Sequence, residues 1–131
     1  MNKLKKEKVL PLIKQALRED IGKADSTTTK TIPEKHNSLA AIKIKDKTVL
    51  CGLEIVKWVF SELGSIKTEF LVDEGIWVNP GDIIHVRGNT RAILTGERVA
   101  LNFIQRLCGI STYTRKFVDK IKNNKATILD T

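Results

Sequence analysis

The stretch "GERVALNFIQRLCGI", residues 96–110, constrains this chain more than any other. At helical spacing Val99, Phe103, Leu107 and Ile110 share one face, and Ala100, Ile104 and Cys108 widen it beyond the stripe that a surface helix needs. Such a helix needs cover on several sides, so the other elements must be pieces wrapped round it. Asn89 or Thr90 is suited to cap it, with Thr95 as a second start. Into this apolar setting falls a polar line, Arg98, Asn102 and Gln105, at steps of four and three, with Arg106 beside it. Two readings compete. The line is the solvated edge of a packed helix, or it is a ligand site. A guanidinium is a planar, permanent cation suited to carboxylate or phosphate, and it is costly to desolvate without such a partner.

The wrapping pieces are legible in order. Val9, Ile13, Ala16, Leu17 and Ile21 keep to one face of a helix from about Glu7 to Asp20, with Pro11 in its first turn and Gly22 ending it. "GKADSTTTKTIPEKH" lacks periodicity and predicts a surface loop whose hydroxyls bond the backbone locally. Ala40, Ile42 and Ile44 alternate with Ala41, Lys43 and Lys45, turn at Asp46-Lys47 and return through Thr48, Val49 and Leu50, which predicts a hairpin. Ile55, Val56, Val59, Phe60 and Leu63 make an amphipathic helix closed by Gly64, with Trp58 at its edge. Three short strands follow in "IKTEFLVDEG", "IWV" and "DIIHVRG", with Asn79-Pro80-Gly81 suited to a type II turn. His85, inside the last of them with no carboxylate or second histidine beside it in sequence, reads as structural. Mixed elements in this order predict an α+β fold with a mostly antiparallel sheet.

Composition closes off several functions. With 131 residues, 41% of them hydrophobic, the chain builds one core and not two. No apolar run reaches the roughly 18 residues of a membrane span, and Lys14 and Arg18 interrupt any signal-peptide core, so a cytoplasmic location without membrane contact is expected. Cys51 and Cys108 stand far apart without metal-ligand spacing and read as buried thiols, with no metal site expected. A formal net charge of +8 favours anionic partners. The cluster Lys3, Lys5, Lys6 and Lys8 reads as a solvated start.

Beyond Gly109, which permits close packing or a break, Ser111 or Thr112 is placed to start a helix carrying Tyr113, Phe117, Val118 and Ile121. The last residues, "ATILDT", read as an apolar strand. A parallel strand after a helix ordinarily begins a βα series, so the chain is expected to be an N-terminal piece of a longer protein.

The residues "LREDIGKADSTT", "VLCGLEI", "VNPGDIIHVRG" and above all "ERVALNFIQRLCGISTYTR" running on to "ILDT" resemble the N-terminal portion of the quinolinate phosphoribosyltransferases, the carboxylating nicotinate-nucleotide pyrophosphorylases. The resemblance runs nearly end to end. It implies an N-terminal α/β sandwich domain over residues 1–110, and over 111–131 the helix and first strand of a truncated α/β barrel. It further implies transfer of a phosphoribosyl group from phosphoribosyl pyrophosphate to quinolinate, with loss of pyrophosphate and CO2, as a step of NAD biosynthesis. In the homodimers it implies, Arg98 reaches a quinolinate carboxylate over the partner's barrel and Thr131 lies at the substrate. Asn102 and Gln105 support them. The catalytic residues and the ligands of Mg²⁺ belong to the barrel, so none is expected in these residues, and the 131-residue chain alone is expected to be inactive. Two alternatives stay open: a related pyrophosphorylase-like transferase associated with molybdate transport, and a stand-alone basic binding module. Against nucleic acid as a partner stand an aromatic content of 5% and the lack of any recognisable binding pattern.

Overall fold

The computed structural model describes residues 4–22 and 30–129. The elements are α1 (Lys6–Gly22), β1 (Asn37–Ile44), β2 (Thr48–Val49), α2 (Leu53–Ser61), β3 (Lys67–Phe70), β4 (Trp77–Val78), β5 (Gly81–Asn89) and α3 (Thr90–Ile121). Two antiparallel sheets form, one in the order β1-β5-β3 and one pairing β2 with β4. The expected α+β class with an antiparallel sheet is what the chain adopts.

The broad apolar face of α3 organises the rest. Ile93, Val99, Ala100, Ile104 and Cys108 are buried in one core with Ile13 and Leu17 of α1, Val56, Val59 and Phe60 of α2, and Ile84 and Val86 of β5. Asn89 caps α3 as expected, its side-chain oxygen accepting from the Ala92 amide at 3.1 Å. Gly96 is required where α3 crosses α2, because a Cβ there would stand 2.7 Å from Leu63 and 3.0 Å from Phe60. At the start of α2, Gly52 takes φ 106° against Leu107 of α3. The Glu74 carboxylate, arriving from the loop before β4, accepts from the Gly52 and Leu53 amides and supplies the cap that α2 lacks locally.

Several expectations are corrected. The β1–β2 hairpin does not form: β1 pairs with β5 along its whole length, and β2 turns away to β4. Only a few residues separate Asp46-Lys47 from the start of α2, too few for a ladder, whereas β5 offers nine. Gly81 has φ 153°, far from the roughly +80° of a type II turn, because it already begins β5 opposite Ile44. Pro11 lies past the first turn, since α1 already begins at Lys6. No break occurs at Gly109: α3 runs unbroken for 32 residues. One interior glycine costs a helix only about 1 kcal/mol. Moreover, Ser111 and Thr112 spend their hydroxyls on β2 rather than on a cap. Ser111 donates to the Val49 carbonyl at 2.7 Å, and Thr112 meets the Thr48 hydroxyl at 2.6 Å and accepts from the Val49 amide at 2.9 Å. Residues 126–129 form no strand, and a parallel strand takes its bonds from neighbouring strands; residues 130–131 of the expected strand lie outside the described residues.

His85 has carboxylates after all, Asp82 at 3.4 Å and Glu69 at 3.9 Å, the second brought alongside by β3 pairing. The hydrogen bond from His85, followed by the contact with Lys43, holds the Asp82 carboxyl below its usual range. The two cysteines, far apart in sequence, meet in space: the Cys51 amide donates to Cys108 Sγ, and that thiol donates to the Cys51 carbonyl, each at 3.4 Å. Cys108 is buried and Cys51 half-buried; burial first, then the Glu74 charge, pushes the Cys51 thiol up.

Candidate functional site

Where α1 crosses α3 the two helices leave a groove of about 550 Å³. Its floor is apolar, from Leu12, Val99, Phe103 and Leu107, and its charged side chains are Arg98 and Arg106 of α3 facing Glu19 and Asp20 of α1. Arg98, Asn102 and Arg106 reach it because steps of four residues on one helix advance along a single side. The pattern that buries Val99 and Phe103 therefore presents this polar row at their margin.

Arg98, Asn102 and Arg106 are all exposed. The Arg98 side chain is 73% exposed, so it is not the desolvated cation that its sequence surroundings suggested. The core side of the helix turns away from it, toward α2 and the sheet. Nη1 of Arg98 donates to Asp20 Oδ1 at 3.4 Å. Gln105 lines a second groove, of about 600 Å³, between the end of β1 and α3. A three-residue step falls short of a full turn, which carries Gln105 to the β1 side. Lys43, Lys45, Lys47 and Lys116 border this groove over a floor that includes Ile42, Ile44 and Ile104. Thr131 and residues 23–29, which take in all of the "GKADSTT" segment but its first glycine, lie outside the described residues.

Sequence reasoning missed Asp20 as the partner of Arg98. The signal was present: an acid in the last turn of a helix works against the helix dipole and implies a compensating cation elsewhere. Among the described residues no group of three or more His, Cys, Asp or Glu side chains is placed to hold a metal ion. No described helix is long and apolar enough to cross a membrane.

Known proteins share the fold. The structure of NadC from Streptococcus pyogenes matches with a TM-score of 0.93 at 28% identity, covering 100% of this chain and 47% of that one. The nicotinate-nucleotide pyrophosphorylase of Francisella tularensis matches with a TM-score of 0.90 at 34% identity, covering 99% and 47%. The chain thus has the fold of the N-terminal portion of the nicotinate-nucleotide pyrophosphorylases. The family model of the quinolinate phosphoribosyl transferase N-terminal domain matches residues 25–108, and the chain belongs to that family. A probable nicotinate-nucleotide pyrophosphorylase (carboxylating) of Methanocaldococcus jannaschii is 37% identical over 118 residues, 90% of this chain and 41% of the relative. A mitochondrial quinolinate phosphoribosyltransferase of Nicotiana tabacum is 37% identical over 123 residues, 92% of this chain and 34% of the relative. The chain therefore spans between a third and two-fifths of the length of the curated relatives it matches.

Proposed function

We propose that the chain serves as the substrate-clamping N-terminal part of an enzyme that joins quinolinate to phosphoribosyl pyrophosphate, releasing pyrophosphate and CO2 and giving nicotinate mononucleotide. The observation that carries the reading is Arg98: an arginine held at the rim of the α1/α3 groove, with most of its side chain in solvent, on the block of sequence that most resembles the family. Quinolinate is a planar dicarboxylate, and a guanidinium fork binds a carboxylate through two parallel N–H donors. In a homodimer the fork reaches the partner's barrel, where water is excluded and the contact strengthens. Thr131 adds a second contact at the substrate, and Asn102 and Gln105 support from α3. Among the described residues no group of three or more His, Cys, Asp or Glu is placed to hold a metal ion, and on this reading the ligands of Mg²⁺ belong to the remainder of the enzyme. The 131 residues alone are inactive on this reading, and the enzyme works in the cytoplasm.

Kinetics of the whole enzyme test it. Arg98→Lys keeps the charge and loses the fork, and should cost about 1.5–3 kcal/mol of transition-state binding, roughly ten-fold to more than a hundred-fold in kcat/KM for quinolinate. Arg98→Ala should lose more, with the KM for phosphoribosyl pyrophosphate much less affected. Mixing Arg98→Ala subunits with subunits disabled only in the barrel should restore part of the activity, since one site of each mixed dimer is then intact. Unchanged quinolinate kinetics in Arg98→Ala refute the clamp, and mixed dimers that never recover refute its reach across the interface.

A further inference from the structure

We propose that Asp20 is a positioning residue for Arg98, holding one edge of the guanidinium so that the other edge meets a carboxylate already oriented; the inference rests on the reading of Arg98 just given. The ion pair ties the last turn of α1 to the polar row of α3, Asp20 Oδ1 accepting from Arg98 Nη1 at 3.4 Å. Its two members are unequal. Asp20 is 22% exposed and Arg98 73%, so the acid is the anchored partner and the arginine the arm. Asp20 also stands where a carboxylate is locally unfavourable, at the negative end of α1 with no basic residue in that turn. A residue that breaks a local rule implies a compensating gain elsewhere, and the gain available to Asp20 is the cation across the groove. Its neighbour Glu19 is held differently, by Gln15 Nε2 at 3.1 Å on the surface of α1 itself.

Among the described residues Nε and Nη2 of Arg98 make no hydrogen bond. A guanidinium carries five donors, so a contact through Nη1 leaves a complete two-donor edge for an incoming carboxylate. Two effects of Asp20 then oppose each other. Fixing the arm before the ligand arrives spares rotamer freedom otherwise lost on binding, worth up to about thirty-fold in affinity. Repulsion between the Asp20 charge and a ligand carboxylate works the other way, but the Arg98 cation lies between the two acids and sits closer to each than they sit to one another. Positioning wins, and removal of the Asp20 charge should loosen the site.

The test has two readouts. In the 131-residue chain, ¹⁵N relaxation of the Arg98 Nε resonance should show greater fast motion in Asp20→Asn than in the unaltered chain, with Asp20→Glu between them. In the whole enzyme, Asp20→Asn should raise the KM for quinolinate roughly three-fold to ten-fold, leaving kcat and the KM for phosphoribosyl pyrophosphate nearly unchanged, and Asp20→Glu should recover part of the loss. A lower KM in Asp20→Asn makes the acid a competitor of the substrate and overturns the inference. If Arg98→Ala impairs quinolinate use while Asp20→Asn changes neither motion nor KM, Asp20 is a passive surface partner and the inference alone falls. If Arg98→Ala is itself without effect, the substrate reading falls and takes this inference with it.

Discussion

Between Thr90 and Cys108 the long helix α3 turns a broad apolar face into the core, whereas from Gly109 to Ile121 the same helix leaves Ile110, Tyr113 and Phe117 largely in solvent. The second half is attached by polar bonds instead. Ser111 and Thr112 bond β2, Arg115 Nη2 donates to the Gly75 carbonyl at 2.9 Å, and Asp119 accepts from Trp77 Nε1 at 3.3 Å. All four reach β2, β4 or the turn before β4. Burial is non-directional and resists removal of any large side chain, while each hydrogen bond contributes only about 1 kcal/mol net but fixes direction. The first half of α3 therefore supplies stability and the second half supplies aim, presenting an apolar strip without using it.

The most direct way to break this contrast is to truncate one large apolar side chain in each half. Ile104 is 4% exposed in the centre of the core, and Ile104→Ala should cost about 2–5 kcal/mol of unfolding free energy. Phe117 is 45% exposed, with Tyr113 edge-on at 4.9 Å, and Phe117→Ala should cost under about 1 kcal/mol. Urea unfolding followed by circular dichroism measures both. Similar losses at the two sites would mean that the distal half is buried in solution, and the contrast would fail. A smaller but sharper effect belongs to Gly96, where an added Cβ has no room against Leu63 and Phe60. Gly96→Ala should destabilise by about 1–3 kcal/mol, the usual range for overpacking, even though alanine is the better helix former. A gain in stability there would show that α2 and α3 are not in close contact.

How far the sequence could be read follows the same division. The apolar period over 99–108 predicted a buried helix because burial leaves a repeating mark, and the caps, the amphipathic α2 and the antiparallel class followed from equally local signals. Strand pairing left no such mark. Ile42 and Ile44 advertise a strand but not its partner, so the nearest candidate, β2, stood in for β5. The unbroken α3 was missed because Gly109, Ser111 and Thr112 have the residue types of a stop and a restart, while the bonds that make them part of one helix come from β2. At the groove, spacing put Arg98, Asn102 and Gln105 in one polar strip, and Arg98 and Asn102 line the α1/α3 groove while Gln105 lines the neighbouring one. Asp20 entered only as the end of a helix and within a motif: its place in the last turn favours a nearby cation, but nothing in its segment says that the cation is residue 98.

Gly109 offers the finest test, because it separates the two halves and should act with the opposite sign to Gly96. Both glycines sit inside α3, but a Cβ at Gly109 would meet nothing within 4 Å, and the position is exposed. No packing within the described residues requires a glycine there, so its cost to the helix, about 0.8–1 kcal/mol relative to alanine, is uncompensated in this chain. Gly109→Ala should therefore raise the urea midpoint by an amount equal to about 0.5–1 kcal/mol with the denaturant slope unchanged, since the surface exposed on unfolding stays nearly the same. The same substitution in Gly96 lowers the midpoint, and the pair together cancels the helix propensity common to both. What remains is the difference between a helix face pressed on α2 and one open to solvent. A fall in the midpoint of Gly109→Ala would place an atom of this chain over that face, and a changed slope would mean that α3 is not a single helix across residue 109 in solution.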